Sequence, residues 1–199
     1  DLLSSTQIQS LYSNLIRGNS VSFLEHPRAN YPMQHLVSAC KNIGQFTIIL
    51  DEITPFLPEL ISRRRFGVMI KFAEWAVQNQ AGYELVLTAA FKTFHLEKTN
   101  EDRVFLFPAI IRLQTKNTMD STAPLNPQGC ALLCQFARFP ESNAKALVDG
   151  ILRLSEQDIL TLARNPSGSR VIEAFLVGGA MSPKAVQRIG RHFKGNLAQ

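Results

Sequence analysis

The sequence predicts an all-α chain built as a helical solenoid, and three observations predict it. Apolar residues recur at helical spacing along most of the 199 residues. Prolines and a glycine pair cut that pattern into segments of about ten to fifteen residues, the ordinary length of a helix in a globular protein. Four of the segments superpose on one another, as a stacked array of helical units requires. No strand alternation bounded by hairpin signals competes with this reading.

Each element follows from local chemistry. Pro32 falls in the first turn of a helix, where its missing N–H costs nothing. Ile48-Ile49-Leu50 is partly β-branched, but it continues into Asp51-Glu52-Ile53 at helical spacing and so reads as helix. Phe72 and Trp75 belong to an apolar helical pattern and read as core. Leu87, Ala90, Phe91 and Phe94 form a further stripe, and Ala144, Leu147, Val148, Ile151 and Leu152 another. The polar stretches Glu97 to Asp102 and Lys116 to Gln128 read as surface loops. The pairs Asp51-Glu52 and Glu101-Asp102 read as solvated helix-end charges. Gly178-Gly179 stops one helix, and Ser182-Pro183 starts the next with a capping residue followed by Pro. That helix carries Val186, Ile189, Phe193 and Leu197 on one face and Lys184, Arg188 and Arg191 on the other.

Composition excludes several classes. With 45% hydrophobic and 19% charged residues the chain is not disordered as a whole. The longest apolar run, Val104 to Ile111, is too short to cross a bilayer. Asp1 to Ser5 shows no basic region and no cleavage pattern. Cys40, Cys130 and Cys134 cannot build a disulfide framework, and an odd count suits a reducing compartment. The net charge of +5 permits an anionic partner without demanding one. That charge is uneven: no acidic residue follows Glu173, while Lys184, Arg188, Arg191, His192 and Lys194 do.

The four superposable segments are His26-Pro-Arg-Ala-Asn-Tyr-Pro-Met-Gln34, Ser62-Arg-Arg-Arg-Phe-Gly-Val-Met-Ile70, Asn126-Pro-Gln-Gly-Cys-Ala-Leu-Leu-Cys134 and Asn165-Pro-Ser-Gly-Ser-Arg-Val-Ile-Glu173. Asn30, Phe66, Cys130 and Ser169 occupy matching places, at spacings of 36, 64 and 39 residues. The long spacing contains both polar stretches, so an insertion explains it. The units then run over about 1–45, 46–95, 96–154 and 155–193. Residues 194–199 look like the opening of another, so the chain reads as a slice of a longer array.

The last unit, Asp158 to Leu176 with the following helix, resembles a Pumilio (PUF) repeat. It has a helix ending in Leu-Ala, a Pro-Ser-Gly turn and a second helix beginning Ser-Arg-Val-Ile. Irregular repeats and an interrupted one make the chain similar to the divergent nucleolar members of that family. The resemblance implies a U-shaped array of three-helix repeats, in which the second helix of each repeat reads one RNA base. It implies Ser169 and Glu173 as base-edge readers of a guanine-selecting type, with Arg170 stacking on the base plane. A carboxylate can accept both N–H groups of guanine's edge, and guanidinium planes stack well on bases. Asn30 and Gln34 resemble the uracil-selecting pair, with Tyr31 as the stacker. Phe66, Gly67 and Ile70 offer no hydrogen bond to a base edge, and Cys130, Ala131 and Cys134 offer little more. Arg28, Arg63, Arg64 and Arg65 are the candidate phosphate contacts.

The implied partners are single-stranded or unpaired regions of precursor ribosomal RNA and the proteins of pre-ribosomal particles. The implied setting is the nucleolus, and the implied role is non-catalytic help in small-subunit rRNA processing. The same architecture would also serve a HEAT- or armadillo-like scaffold for protein interaction. No metal site is expected. Cys130 and Cys134 lie one turn apart but lack further ligands, and the four histidines, His26, His35, His95 and His192, are scattered. No nucleophile–base pair, phosphate-cradling glycine loop or convergent carboxylate set suggests an enzyme. No cofactor, membrane contact or small-molecule substrate is expected.

Overall fold

The computed structural model of the protein describes residues 4–63 and 65–193. Among these residues all regular structure is helical, as the periodicity predicts. The chain divides into two compact units, Asp1–His95 and Leu96–Gln199.

The first unit opens with α1, Ser5–Leu11, started by a capping box in which Ser4 and Gln7 satisfy each other's backbone N–H groups. A wider π-helical turn, Tyr12–Ile16, extends it. Then follow α2 (Ser20–Glu25), α3 (Asn30–Ala39), α4 (Ile43–Ile53), a 3-10 turn at Thr54–Phe56, α5 (Leu57–Ser62), α6 (Gly67–Asn79) and α7 (Tyr83–Thr93). Helix α3 packs beside α6, and α4 beside α7. Between them Met33, Phe46, Ile49, Phe72 and Trp75 are buried. The Trp75 ring stacks on Phe46 at 4.1 Å, and its indole N–H donates to the Cys40 carbonyl at 2.9 Å. Burying each such side chain stabilises the fold by about 1.5–3 kcal/mol. Helix α4 starts where Asn42 caps Gln45, so it runs through positions 45 and 46, where the sequence pattern put a boundary between units.

Glu52 is not a solvated helix-end charge. Its carboxylate accepts the hydroxyls of Tyr12 and Ser20 and the N–H of Gly18. Tyr12 and Ser20 are both buried, so this one carboxylate ties the π-helical turn and the loop after it to α4. Burial pushes the Glu52 carboxyl up, but the Ser20 and Tyr12 hydroxyls and the Gly18 and Ser20 N–H groups outweigh it. The net result lies below the usual carboxylate value.

The second unit contains α8 (Asn100–Arg103), α9 (Leu106–Arg112), a 3-10 turn at Lys116–Thr118, α10 (Pro127–Phe136), α11 (Glu141–Leu152), α12 (Glu156–Arg164), α13 (Pro166–Val177) and α14 (Pro183–Arg191). Helix α10 packs between α9 and α13, while α11 lies against α9 and α14. Ser182 caps α14 by accepting the Ala185 N–H, as its Ser-Pro start predicts. The two polar stretches are more ordered than loops. Thr99 caps α8, which takes in Asn100 to Asp102, and Gln128 already lies in α10. Asp102 is only 6% exposed, against the expectation of a solvated charge. It receives Lys116 Nζ at 2.7 Å and the Glu97 N–H at 2.9 Å, and these donors hold its carboxyl below the usual range. The inserted segment is pinned again by Arg112, which donates to the Ser121 and Ala123 carbonyls.

Replacing Glu52 by Ala leaves two buried hydroxyls without their acceptor and costs about 1–3 kcal/mol in urea unfolding. Because the folded-state pKa is depressed, this stabilisation is complete above the unfolded value of about 4.3 and is lost as pH falls through the lower folded value. Glu52→Gln therefore flattens the acid limb of the stability curve; an unchanged limb contradicts the assignment.

Candidate nucleic-acid interface

Three of the four superposed segments share one turn device, which caps the helix directly in α10 and α13 and precedes it in α3. A side-chain acceptor, followed by Pro, takes the N–H groups of the second and third residues after it. Asn165 Oδ1 accepts Ser167 at 2.9 Å and Gly168 at 3.0 Å. Asn126 Oδ1 accepts Gln128 at 2.9 Å and Gly129 at 3.3 Å. In the first segment an imidazole makes the same pair of bonds in the turn ahead of α3, whose N-cap is Ala29: His26 Nδ1 accepts Arg28 at 3.2 Å and Ala29 at 3.1 Å. The next N–H, of Asn30, Cys130 or Ser169, closes on the carbonyl of the capping residue itself. These three side chains therefore leave the backbone at equivalent points. The role of His26 was hidden in the sequence, where it was one of four scattered histidines; its place before Pro, matching Asn126 and Asn165, was the available signal.

The glycine of the cap is required by close approach. A Cβ at Gly168 would stand 2.5 Å from the Leu162 carbonyl oxygen, and one at Gly129 only 2.0 Å from that of Ile110. Helices α12 and α13 are joined by Asn165 alone, which ends one and caps the other.

At the start of α13, Ser169 is half-buried, and Arg170 and Glu173, one turn apart on the helix, are exposed. Ser169 Oγ donates to the Pro166 carbonyl at 3.2 Å. At the start of α3, Tyr31 is 60% exposed. Asn30 and Gln34 are half-buried and joined, Gln34 Nε2 donating to Asn30 Oδ1 at 2.9 Å. The predicted members of each triplet thus sit together at one helix start.

The other two segments differ. Phe66 is fully buried with its ring edge-on to Phe94, so it belongs to the core. Helix α6 begins after it without a side-chain cap. Cys130 is 2% exposed, and burial followed by the neighbouring Cys134 pushes its thiol up to about 11. Burial also raises the half-buried Cys134, whose thiol feels the charges of Arg170 and Glu173. Both thiols stay protonated at neutral pH. Among the described residues no three His, Cys, Asp or Glu side chains come together to hold a metal ion.

The phosphate candidates separate. Arg28 is exposed. Arg63 is engaged with Glu25 at 3.0 Å, a surface pair that solvent weakens. Arg65 is half-buried, and its backbone N–H closes on the Leu60 carbonyl. Arg64 lies outside the described residues.

The sequence pattern of one family, the NOP9-like PUF repeat domain, matches residues 1–199. Nucleolar protein 9 of Mus musculus is 25% identical over 98% of this chain and 34% of its own length. Its Homo sapiens counterpart is 22% identical over the same shares. Pumilio homolog 23 of Arabidopsis thaliana is 25% identical over 96% of this chain and 27% of its own length. The chain thus spans about a third of the nucleolar protein 9 relatives. The structure of APUM23-GGAAUUGACGG superposes with a TM-score of 0.83 at 22% identity, over 98% of this chain and 38% of that one. That of APUM23-GGAUUUGACGG gives 0.81 at 22% identity, over 98% and 37%. The fold is shared with these structures.

The caps make a graded prediction. Asn165→Ala costs about 0.5–2 kcal/mol in equilibrium unfolding, whereas His26→Asn keeps an acceptor for the Arg28 and Ala29 N–H groups of the turn before α3. Gly129→Ala, which meets a carbonyl rather than a flexible side chain, costs about 1–3 kcal/mol. A neutral Gly129→Ala contradicts the close approach of α9 and α10.

Proposed function

The chain belongs to the NOP9-like PUF repeat family, and from that premise we propose that it binds single-stranded or unpaired RNA through the starts of α3 and α13. As a stretch of a longer array it takes hold of precursor ribosomal RNA in the nucleolus. It assists small-subunit rRNA processing there without catalysing a step, alongside the proteins of pre-ribosomal particles. The observation that carries this reading is the pair of complete triplets, each following the same pair of side-chain-to-backbone hydrogen bonds near a helix start.

The chemistry of each triplet suits one base. At α13 the exposed Glu173 carboxylate can accept the two N–H groups on guanine's Watson–Crick edge, which no other base offers side by side. Arg170 provides a flat cation to lie on the ring. At α3 the Asn30–Gln34 amide pair offers both donor and acceptor to uracil, and Tyr31 provides an exposed ring face. The segments with Phe66 and Cys130 supply no comparable edge contact, so the array holds bases selectively at two of four units and through backbone contacts elsewhere. The nucleolar setting is supported by the names of the relatives, and the RNA partner by the uracil-containing strands of the APUM23 structures.

Glu173→Ala is expected to weaken binding to a guanine-containing strand by about 1–3 kcal/mol and to relax preference at that position. Tyr31→Ala is expected to cost about 1–3 kcal/mol through lost stacking, whatever the base. Fluorescence anisotropy with short labelled strands measures both. Wild-type affinity in both variants would move the protein to the scaffold class, in which the same helices bind a protein.

A further inference from the structure

The amide of Gln34 is held from two sides, and the two constraints have different origins. The first is a chain of hydrogen bonds with fixed polarity. Asn30 Nδ2 donates to the Pro27 carbonyl at 2.8 Å and to the His26 carbonyl at 3.1 Å. Both hydrogens of that amide nitrogen are therefore taken. Turning Asn30 over would set its oxygen against two carbonyl oxygens, so Oδ1 must face Gln34. Gln34 must then present Nε2 to it, at 2.9 Å. What Gln34 keeps for a ligand is its Oε1 acceptor and one remaining N–H.

The second constraint is space. The same amide lies over Gly67, the first residue of α6. A Cβ at Gly67 would stand 2.8 Å from Gln34 Nε2 and 2.9 Å from its Cδ and Oε1. Real Cβ atoms do not come that close, so any side chain at 67 would drive the amide away. In the superposed segments position 67 matches Tyr31, Ala131 and Arg170, all of which carry a side chain. The unit with no base-reading groups of its own thus provides the bare backbone on which its neighbour's reader rests.

We infer that Gly67 is a positioning residue for base reading by Gln34: the absent side chain lets the Gln34 amide keep the orientation that Asn30 imposes. This rests on the RNA reading of α3. Gly67 has no side chain to offer a base, and in this reading it acts through Gln34. Its backbone is ordinary helix, and the atoms a Cβ would meet are the far end of a flexible side chain. Gly67→Ala therefore separates base reading from folding: a Cβ there displaces only the end of a flexible side chain, so the melting temperature is kept.

The test is a double-mutant cycle on the 199-residue chain, with affinity for a short uracil-containing strand measured beside thermal melts. Gln34→Ala and Gly67→Ala are each expected to weaken binding about tenfold, the size of one lost base-edge contact. The double variant is expected to bind no worse than Gln34→Ala alone. Unchanged affinity in a folded Gly67→Ala, or a further tenfold loss in the double variant, overturns the inference. If Gln34→Ala itself binds like wild type, the RNA reading of α3 fails and the inference falls with it. That outcome is distinct from a normal Gln34 effect with a silent Gly67.

Discussion

The turn before α3, α10 and α13 is the constraint on which the rest depends. A helix start leaves N–H groups without partners, and something must accept them. Here one side-chain atom, from His26, Asn126 or Asn165, accepts two at once. The Pro that follows removes a third donor and fixes the backbone for a helix. The same turn closes the N–H of the fourth residue after its first, Asn30, Cys130 or Ser169, on the carbonyl of that first residue. Positions that a reader of bases must control are thus set by local chemistry, before any long-range packing.

Long-range packing then decides which of those positions reach solvent. Where a neighbouring helix comes close enough to demand glycine, at Gly129 and Gly168, the helix start is pressed onto the preceding helix. Cys130 is buried under this arrangement, whereas Ser169 keeps partial exposure beside Arg170 and Glu173. Phe66 goes further and joins the core with Phe94. A unit can therefore keep the architecture and lose the polar side chains at its helix start. In the first unit of the structure, Gly67 turns that loss into space for the neighbouring amide.

Most of the fold was legible because it rests on periodicity and on breakers that act within a few residues. The helices of Leu87 to Phe94, Ala144 to Leu152 and the Ser182-Pro183 start are of this kind, and so is the burial of Trp75. The gathering of each triplet at one helix start was legible because its members lie within nine consecutive residues. Glu52 was not, since Tyr12, Gly18 and Ser20 lie 32 to 40 residues from it and follow no period. Asp102 was misread for the same reason: its partner Lys116 lies 14 residues away, across a stretch that looked like plain loop. Arg63 reads as one of a basic run until Glu25, far back in sequence, is placed against it. Charges declare their partners only in three dimensions, whereas apolar stripes declare theirs in sequence.

The central claim is that the side chains behind these turns read bases rather than merely cap helices. Selecting a randomised single-stranded RNA pool on the 199-residue chain and sequencing the bound fraction tests it most directly. The account predicts enrichment of a guanine and a uracil at defined separate positions, with the flanking positions unselective. A bound pool whose base composition matches the input at every position would contradict it.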